Sequence, residues 1–392
     1  SRFARLVRHF TYRFVDHDLI AVEGQGYQTL VHVLALLMAL SVVITVALLF
    51  KYLFILDLLP PTRRQQAVWS DQAFLIKLTM TAIGFFTVLG WEALFPDRRD
   101  SHTLGVLPVP LRTLFSAKLL AILLFLGLIL LAATSWTSIF FPFLVAGQSA
   151  SLARVGEVFV ATVVTLAAAG GFAFFSLFAL QAALINLLPY RLYRWLTAWL
   201  QLLAVLVLLI AFFAMPNLAT VRQGPAWLGH VLPPYWFLSA YQHLLGAPQP
   251  LPGDLTGHAA GGLALAVTVA LGGFALGYRR TIRKAVEHAE LGPRRQGTVA
   301  RIAAPLLERL WLRVGRERAA FWFVARTMAR SRKHRLWLAV CCAAGLTWVA
   351  GGFAYMLRRA LAGQVCTPSP ALASIPFDLA FLLLMGVRLL FS

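Results

Sequence analysis

The sequence predicts an all-α integral membrane protein of about eight transmembrane helices with accompanying amphipathic interfacial helices, on three observations. Of 392 residues, 60% are hydrophobic and 13% charged, against roughly 25% charged in a soluble domain, so too few polar side chains exist to cover a water-facing globule. Eight stretches meet or approach the apolar length of about 20 residues that crosses a hydrocarbon core. The 35 Lys and Arg against 15 Asp and Glu give a formal net charge of +20, and these cations gather between the apolar stretches, where loops and helix ends belong.

Residues 1–26 open the chain with Phe3, Leu6, Val7, Phe10 and Phe14 at helical spacing among Arg2, Arg5, Arg8 and Arg13, the pattern of an interfacial helix. The short apolar core and cleavage site of a secretory signal are absent from Ser1 to Ile20, so the first span is expected to act as the targeting signal. Six spans follow within residues 27–278: Leu30 to Phe50, Ala73 to Leu94, Leu114 to Ala133, Val155 to Leu188, Leu196 to Met215 and Ala259 to Tyr278. The fourth is long enough to tilt strongly or to break at Gly170-Gly171. Residues 279–335 form a basic linker with a second interfacial pattern, in which Leu306, Leu310, Val314, Phe321, Trp322, Val324 and Met328 alternate with arginines. Residues 336–392 carry two more spans, Leu336 to Leu357 and Leu372 to Leu390, which read as the start of an incomplete second unit in a piece of a longer polypeptide.

Cytoplasmic loops retain Lys and Arg. With the N-terminus in the cytoplasm, the inside segments hold 26 basic residues and the outside segments 8, with Arg388 at the inner end of the eighth span. The linker alone has 16 basic residues against Glu287, Glu290, Glu308 and Glu317. On a soluble protein that density would suggest nucleic acid. Beside a membrane each cation near an anionic leaflet is worth about 1 kcal/mol, so anionic lipids are the expected partner and nucleic acid is not.

Catalytic and cofactor chemistry is sparse. No G-x-x-x-x-G-K-[ST] phosphate cradle occurs, so any ATP is hydrolysed on another chain. Three cysteines, with Cys341 and Cys342 adjacent, make neither a disulfide framework nor a zinc site, and Asp16-His17-Asp18 reads as a solvated turn. Paired carboxylates and nucleophile–base sets are missing from the spans, which disfavours an enzyme and leaves no metal or cofactor expected in this chain. Lys77 and Glu92 fall near the two ends of the second span, where both reach water. The uncharged polar residues Thr79, Thr87, Gln181, Asn186 and Gln201 keep two uses open: lining a path for a large amphiphile, or hydrogen bonding between helices. Gly170, Gly171, Gly273 and Gly277 are expected to let helices approach closely, the last two as a G-x-x-x-G.

The stretch between the second and third spans carries Asp97-Arg98-Arg99-Asp100, then Thr103-Leu104-Gly105, Leu107-Pro108-Val109, Arg112 and Lys118. It resembles the first cytoplasmic loop of ABC-2 type transporter permeases, the membrane-spanning subunits of ABC exporters. The layout over Ser1 to Tyr278 is similar too, with an interfacial helix before the first span, a short turn Pro189 to Arg194, and a Pro- and aromatic-rich outer stretch Pro216 to Gly257. In place of the family's Glu-Glu-Gly-Thr this loop has Arg-Asp-Ser-His-Thr, and two spans exceed the usual six.

The resemblance implies a six-helix permease unit followed by the start of a second, as in a tandem variant. It implies short outer helices that dip back into the membrane, and a dimeric or pseudo-dimeric assembly in a bacterial-type inner membrane. A separate nucleotide-binding subunit holding ATP and Mg would dock on residues 97–107. A reading of a different class makes the chain a non-transporting accessory subunit of a larger, energy-converting membrane complex, with which the scarcity of charge in the spans is compatible.

Overall fold

The computed structural model describes residues 2–15, 26–54, 60–91, 94, 110–146, 151–215, 218, 221, 227–247, 251 and 255–287, with 323, 345 and 349. Two compact units divide the chain, Ser1–Ile282 and Arg283–Ser392. Nearly all of the second, with the seventh and eighth spans and the second interfacial pattern, lies outside the described residues.

The first unit is all helical among its described residues. In order run α1 (Arg2–Val15), α2 (Gly26–Phe54), α3 (Pro61–Leu89), α4 (Leu111–Ala146), α5 (Leu152–Leu187), α6 (Tyr190–Ala214), α7 (Trp227–Val231), α8 (Pro233–Leu244) and α9 (Leu255–Glu287). Local chemistry marks several ends. Pro61 opens α3, where a fixed φ suits the first turn, and the Ser151 hydroxyl caps α5 by accepting from Arg154 N–H at 3.3 Å. Gly246, at φ +60°, takes the left-handed conformation that ends α8.

Leu30–Phe54, Arg63–Leu89, Thr113–Ala146, Leu152–Leu187 and Leu255–Gly277 are long and apolar enough to cross a membrane, and α6 adds the shorter apolar stretch Trp199–Phe213. The chain is therefore an all-α, multi-pass membrane protein.

α2 packs on α4, and α3 packs on α4, α5 and α6. One apolar core, with Trp69, Leu75, Phe141, Phe237 and Tyr241, gathers the α3 N-terminal end against α5 and α8. Another, with Phe10, Leu37, Ile122, Phe174 and Phe274, gathers the opposite end. α1 belongs to the second core: Phe10 is buried, and Phe3, Leu6 and Val7 pack beside it. Its apolar stripe thus rests on α4 and α2 rather than only on lipid.

The structure decides one alternative and corrects one expectation. α5 runs unbroken through Gly170-Gly171, because the missing side chain serves close packing. A Cβ on Gly170 would sit 2.9 Å from Leu130 and 3.3 Å from Ile83, side chains of α4 and α3, whereas one on Gly171 would meet Leu263 at 3.9 Å. The second concerns α3, which starts at Pro61 and not at Ala73, while α2 continues past Phe50 to Phe54. Lys51, Asp71 and Lys77 therefore sit within helix walls, and Lys77, expected near a span end, lies past the midpoint of α3 with its ammonium 5.0 Å from the Phe212 ring centre.

Candidate functional site

A buried polar cluster forms where the C-terminal end of α2, the N-terminal half of α3, α5 and α8 meet. The Lys51 ammonium donates to Asp71 Oδ1 at 2.5 Å, with the carboxylate side chain 11% exposed and the lysine 34%. A carboxylate this enclosed stays charged only beside a cation, and α2 supplies it. The Tyr52 hydroxyl lies beside Asp71, outside hydrogen-bond geometry. Trp69 meets Tyr241 edge-on at 6.0 Å between ring centres, and Tyr52 meets Phe141 in the same way at 6.2 Å. Tyr241 lies beside Thr162, whose own hydroxyl donates to the Val158 carbonyl at 2.7 Å.

Unfilled hydrogen-bonding capacity sets this cluster apart. Asp71 Oδ2, the Tyr52 and Tyr241 hydroxyls, both amide atoms of Gln72, Gln242 Nε2 and Thr165 Oγ1 are buried without a partner. Gln72, Tyr241 and Gln242 are 0% exposed. Each such group disfavours the folded state by about 1–3 kcal/mol unless something pairs with it. Burial pushes the phenols of Tyr235 and Tyr241 up to about 12, so both are protonated donors at neutral pH.

α8 covers this cluster and is held at three points. Trp236 Nε1 donates to the Gly229 and His230 carbonyls at 3.1 and 3.0 Å, which ties α8 to α7. The Ser239 hydroxyl lies 3.1 Å from that of Thr256 on α9. Gln242 Oε1 accepts Leu251 N–H at 2.9 Å, closing the turn after α8.

The opposite end of α3 uses its polar groups differently. The last carbonyls of a helix lack its regular partners; here the Trp91 N–H turns back onto the Val88 carbonyl at 3.3 Å, and neighbouring helices add further donors. Gln181 of α5 donates to the Trp91 carbonyl at 2.5 Å, and Gln201 of α6 to the Val88 carbonyl at 3.4 Å. Asn186 donates to the Gly273 carbonyl of α9 at 2.8 Å. Beside it, a Cβ on Gly273 would fall 2.8 Å from Ala182 Cβ, and Gly277 is also buried. Thr79 and Thr87 donate to Leu75 and Ile83 carbonyls one turn back, as helical threonines without another partner do. Thr87 also borders an apolar crevice with Phe86, Gly90, Phe125 and Phe174. These residues make hydrogen bonds within and between helices.

Asp97, Arg98, Arg99, Asp100, Thr103, Leu104, Gly105, Leu107 and Pro108 lie outside the described residues. Arg112 falls in the first turn of α4. Lys118, 3% exposed, is buried one turn further on with its ammonium 5.7 Å from the Phe10 ring centre, and so links α4 to α1.

Sequence reasoning missed Lys51, Tyr52, Asp71, Gln72, Tyr241 and Gln242. The available signal was a single acid, Asp71, in the polar run before the apolar part of α3, opposite a single base ending the apolar part of α2. Among the described residues no three His, Cys, Asp or Glu side chains come together as a metal site would need. No family model, curated protein or solved structure matches the chain.

Proposed function

We propose that this chain is the membrane-spanning permease subunit of an ATP-driven exporter of the ABC-2 type, with its N-terminus in the cytoplasm and residues 97–107 as the docking loop for a separate ATPase. The observation that carries this reading is the helix pair α7–α8. It falls between α6 and α9, is too short to span a membrane, and has α8 buried against α3 and α5. That is where the resemblance calls for outer helices dipping back into the membrane.

The polar contacts suit a lever. ATP-driven closure of the partner would push the loop that follows Trp91. The hydrogen bonds from Gln181 and Gln201 would carry that push into α5 and α6, while Lys118 and Phe10 keep α1 with α4. A rigid-body tilt of these helices is the expected two-state element.

The test is purification in mild detergent with mass spectrometry of everything retained. A stoichiometric P-loop ATPase is the expected result; redox or pigment proteins without an ATPase would support the accessory reading instead. In the assembled complex, Arg98→Glu with Arg99→Glu is expected to abolish the link between ATP hydrolysis and the permease without unfolding it. Intact coupling in that variant removes the loop from the mechanism.

A further inference from the structure

We propose that Lys77, in the seam between α3 and α6, binds the anionic head group, a carboxylate or a phosphate, of a molecule with an apolar tail. This site goes beyond the exporter reading, since it rests on the surroundings of one cation.

Sequence and helix geometry isolate the charge. Lys77 is the single charged residue between Gln72 and Leu89 of α3, and the stretch Leu196 to Met215 of α6 has none. Along the helix axis it lies about 18 Å from Leu89 and about 9 Å from Asp71. An ionisable group inside a span is unfavourable, and where one persists it commonly serves function beside a partner of opposite charge.

Among the described residues no carboxylate fills that role. Asp71 pairs with Lys51, and Glu157 with Arg154. A separation of six residues also places Asp71 roughly a third of a turn round α3 from Lys77, so the two face different neighbours. What α6 offers Lys77 is partial charge: the face of the Phe212 ring, 5.0 Å from the ammonium to its centre, and the carbonyl end of the helix two residues further on. Both hold the ammonium in place without neutralising it. Thr81, one turn along α3, donates its hydroxyl proton to the Lys77 carbonyl at 2.9 Å, which leaves the ammonium as the donor for a ligand.

The seam is open to an amphiphile. Lys77 is half-buried, while Phe74 on α3 and Ile210 and Phe213 on α6 are exposed. Phe74 meets Phe212 at 6.1 Å between ring centres. In a membrane such side chains face acyl chains, so a tail lying along them brings its head group to Lys77 from the side. A neutral head group leaves the charge unpaired, and a cationic one is repelled.

The experiment uses the full chain, with any subunits that copurify, in a polyoxyethylene detergent. Binding of decanoate, decyl phosphate, decanol and decyltrimethylammonium is measured by equilibrium dialysis. The shared tail isolates the head group, and the first two probes separate a carboxylate from a phosphate. Saturable binding of one or both anionic probes is expected. Lys77→Gln is expected to weaken it at least about ten-fold, the loss of a charge-assisted contact, and Lys77→Arg, which keeps the charge, to retain it. Lys77→Met is a second neutral variant should Lys77→Gln fold poorly. Arg63→Gln, which removes an exposed cation near the start of α3, controls for the net charge of the chain and is expected to leave binding as it is.

Anionic binding that the neutral variants leave unchanged, that Arg63→Gln weakens as much, or that decanol matches overturns the proposal and leaves Lys77 as a cation held by Phe212 alone.

Discussion

The two ends of α3 handle buried polar groups in opposite ways. At its C-terminal end, Gln181 and Gln201 donate their amide N–H groups to the Trp91 and Val88 carbonyls, and among the described residues there only Trp91 Nε1 and Gln181 Oε1 lack a partner. Around its N-terminal half lie a charge pair, two tyrosines and two glutamines, several of whose buried polar atoms lack a partner. Nearly saturated polar groups act as fasteners between helices. Surplus capacity disfavours the closed state, and such a cluster persists where another partner or another conformation uses it.

The largest expected effect breaks the charge pair. Lys51→Met leaves the Asp71 carboxylate enclosed, and thermal unfolding in detergent should report a loss of about 2–3 kcal/mol, below the roughly 3–5 for a fully buried pair because Lys51 is a third exposed. The double variant Lys51→Met with Asp71→Leu should be less harmful than Lys51→Met alone. If it is worse, the pair is a net stabiliser, and the contrast between the two ends weakens.

Next come the glycines of the close-packed end. Gly273→Val would drive a side chain into Ala182, and an overpacking loss of about 1–3 kcal/mol is expected in the same melting assay. Gly261→Ala, whose added Cβ meets nothing within 4 Å, serves as the control and should change little.

Gln181→Leu tests the fasteners and should cost about 1–2 kcal/mol by stranding the Trp91 carbonyl. Gln201→Leu, losing a bond at 3.4 Å instead of 2.5 Å, should lose less. Equal losses would mean that side-chain packing, not the hydrogen bond, holds α5 and α6 to α3.

Smallest of all, Tyr241→Phe should leave stability unchanged or raise it by up to about 1 kcal/mol, because the buried hydroxyl it deletes has no partner to lose. A large loss there would show that the hydroxyl is already paired, and the two ends would then be alike.

The membrane class and the helix order of the first unit were readable without coordinates. Long apolar runs such as Leu30–Phe54 and Leu152–Leu187 have no other stable home. The close approach at Gly170 and Gly273 followed from residue type, since only glycine leaves that space. The first turns of α3 were read as loop because Arg63 to Gln72 is polar. Hydropathy reports whether a segment prefers lipid to water, and it is blind to a polar face turned toward protein.

The pairing of Lys51 with Asp71, the burial of Tyr241 beneath α8 and the choice of Val88 and Trp91 carbonyls by two glutamines each join elements distant in sequence. What a residue type can do is set by its own atoms, and so composition, spans and tight glycines belong to the sequence alone. Whether a buried polar group is satisfied depends on what stands opposite it, which only the tertiary arrangement of α2, α3, α5 and α8 decides.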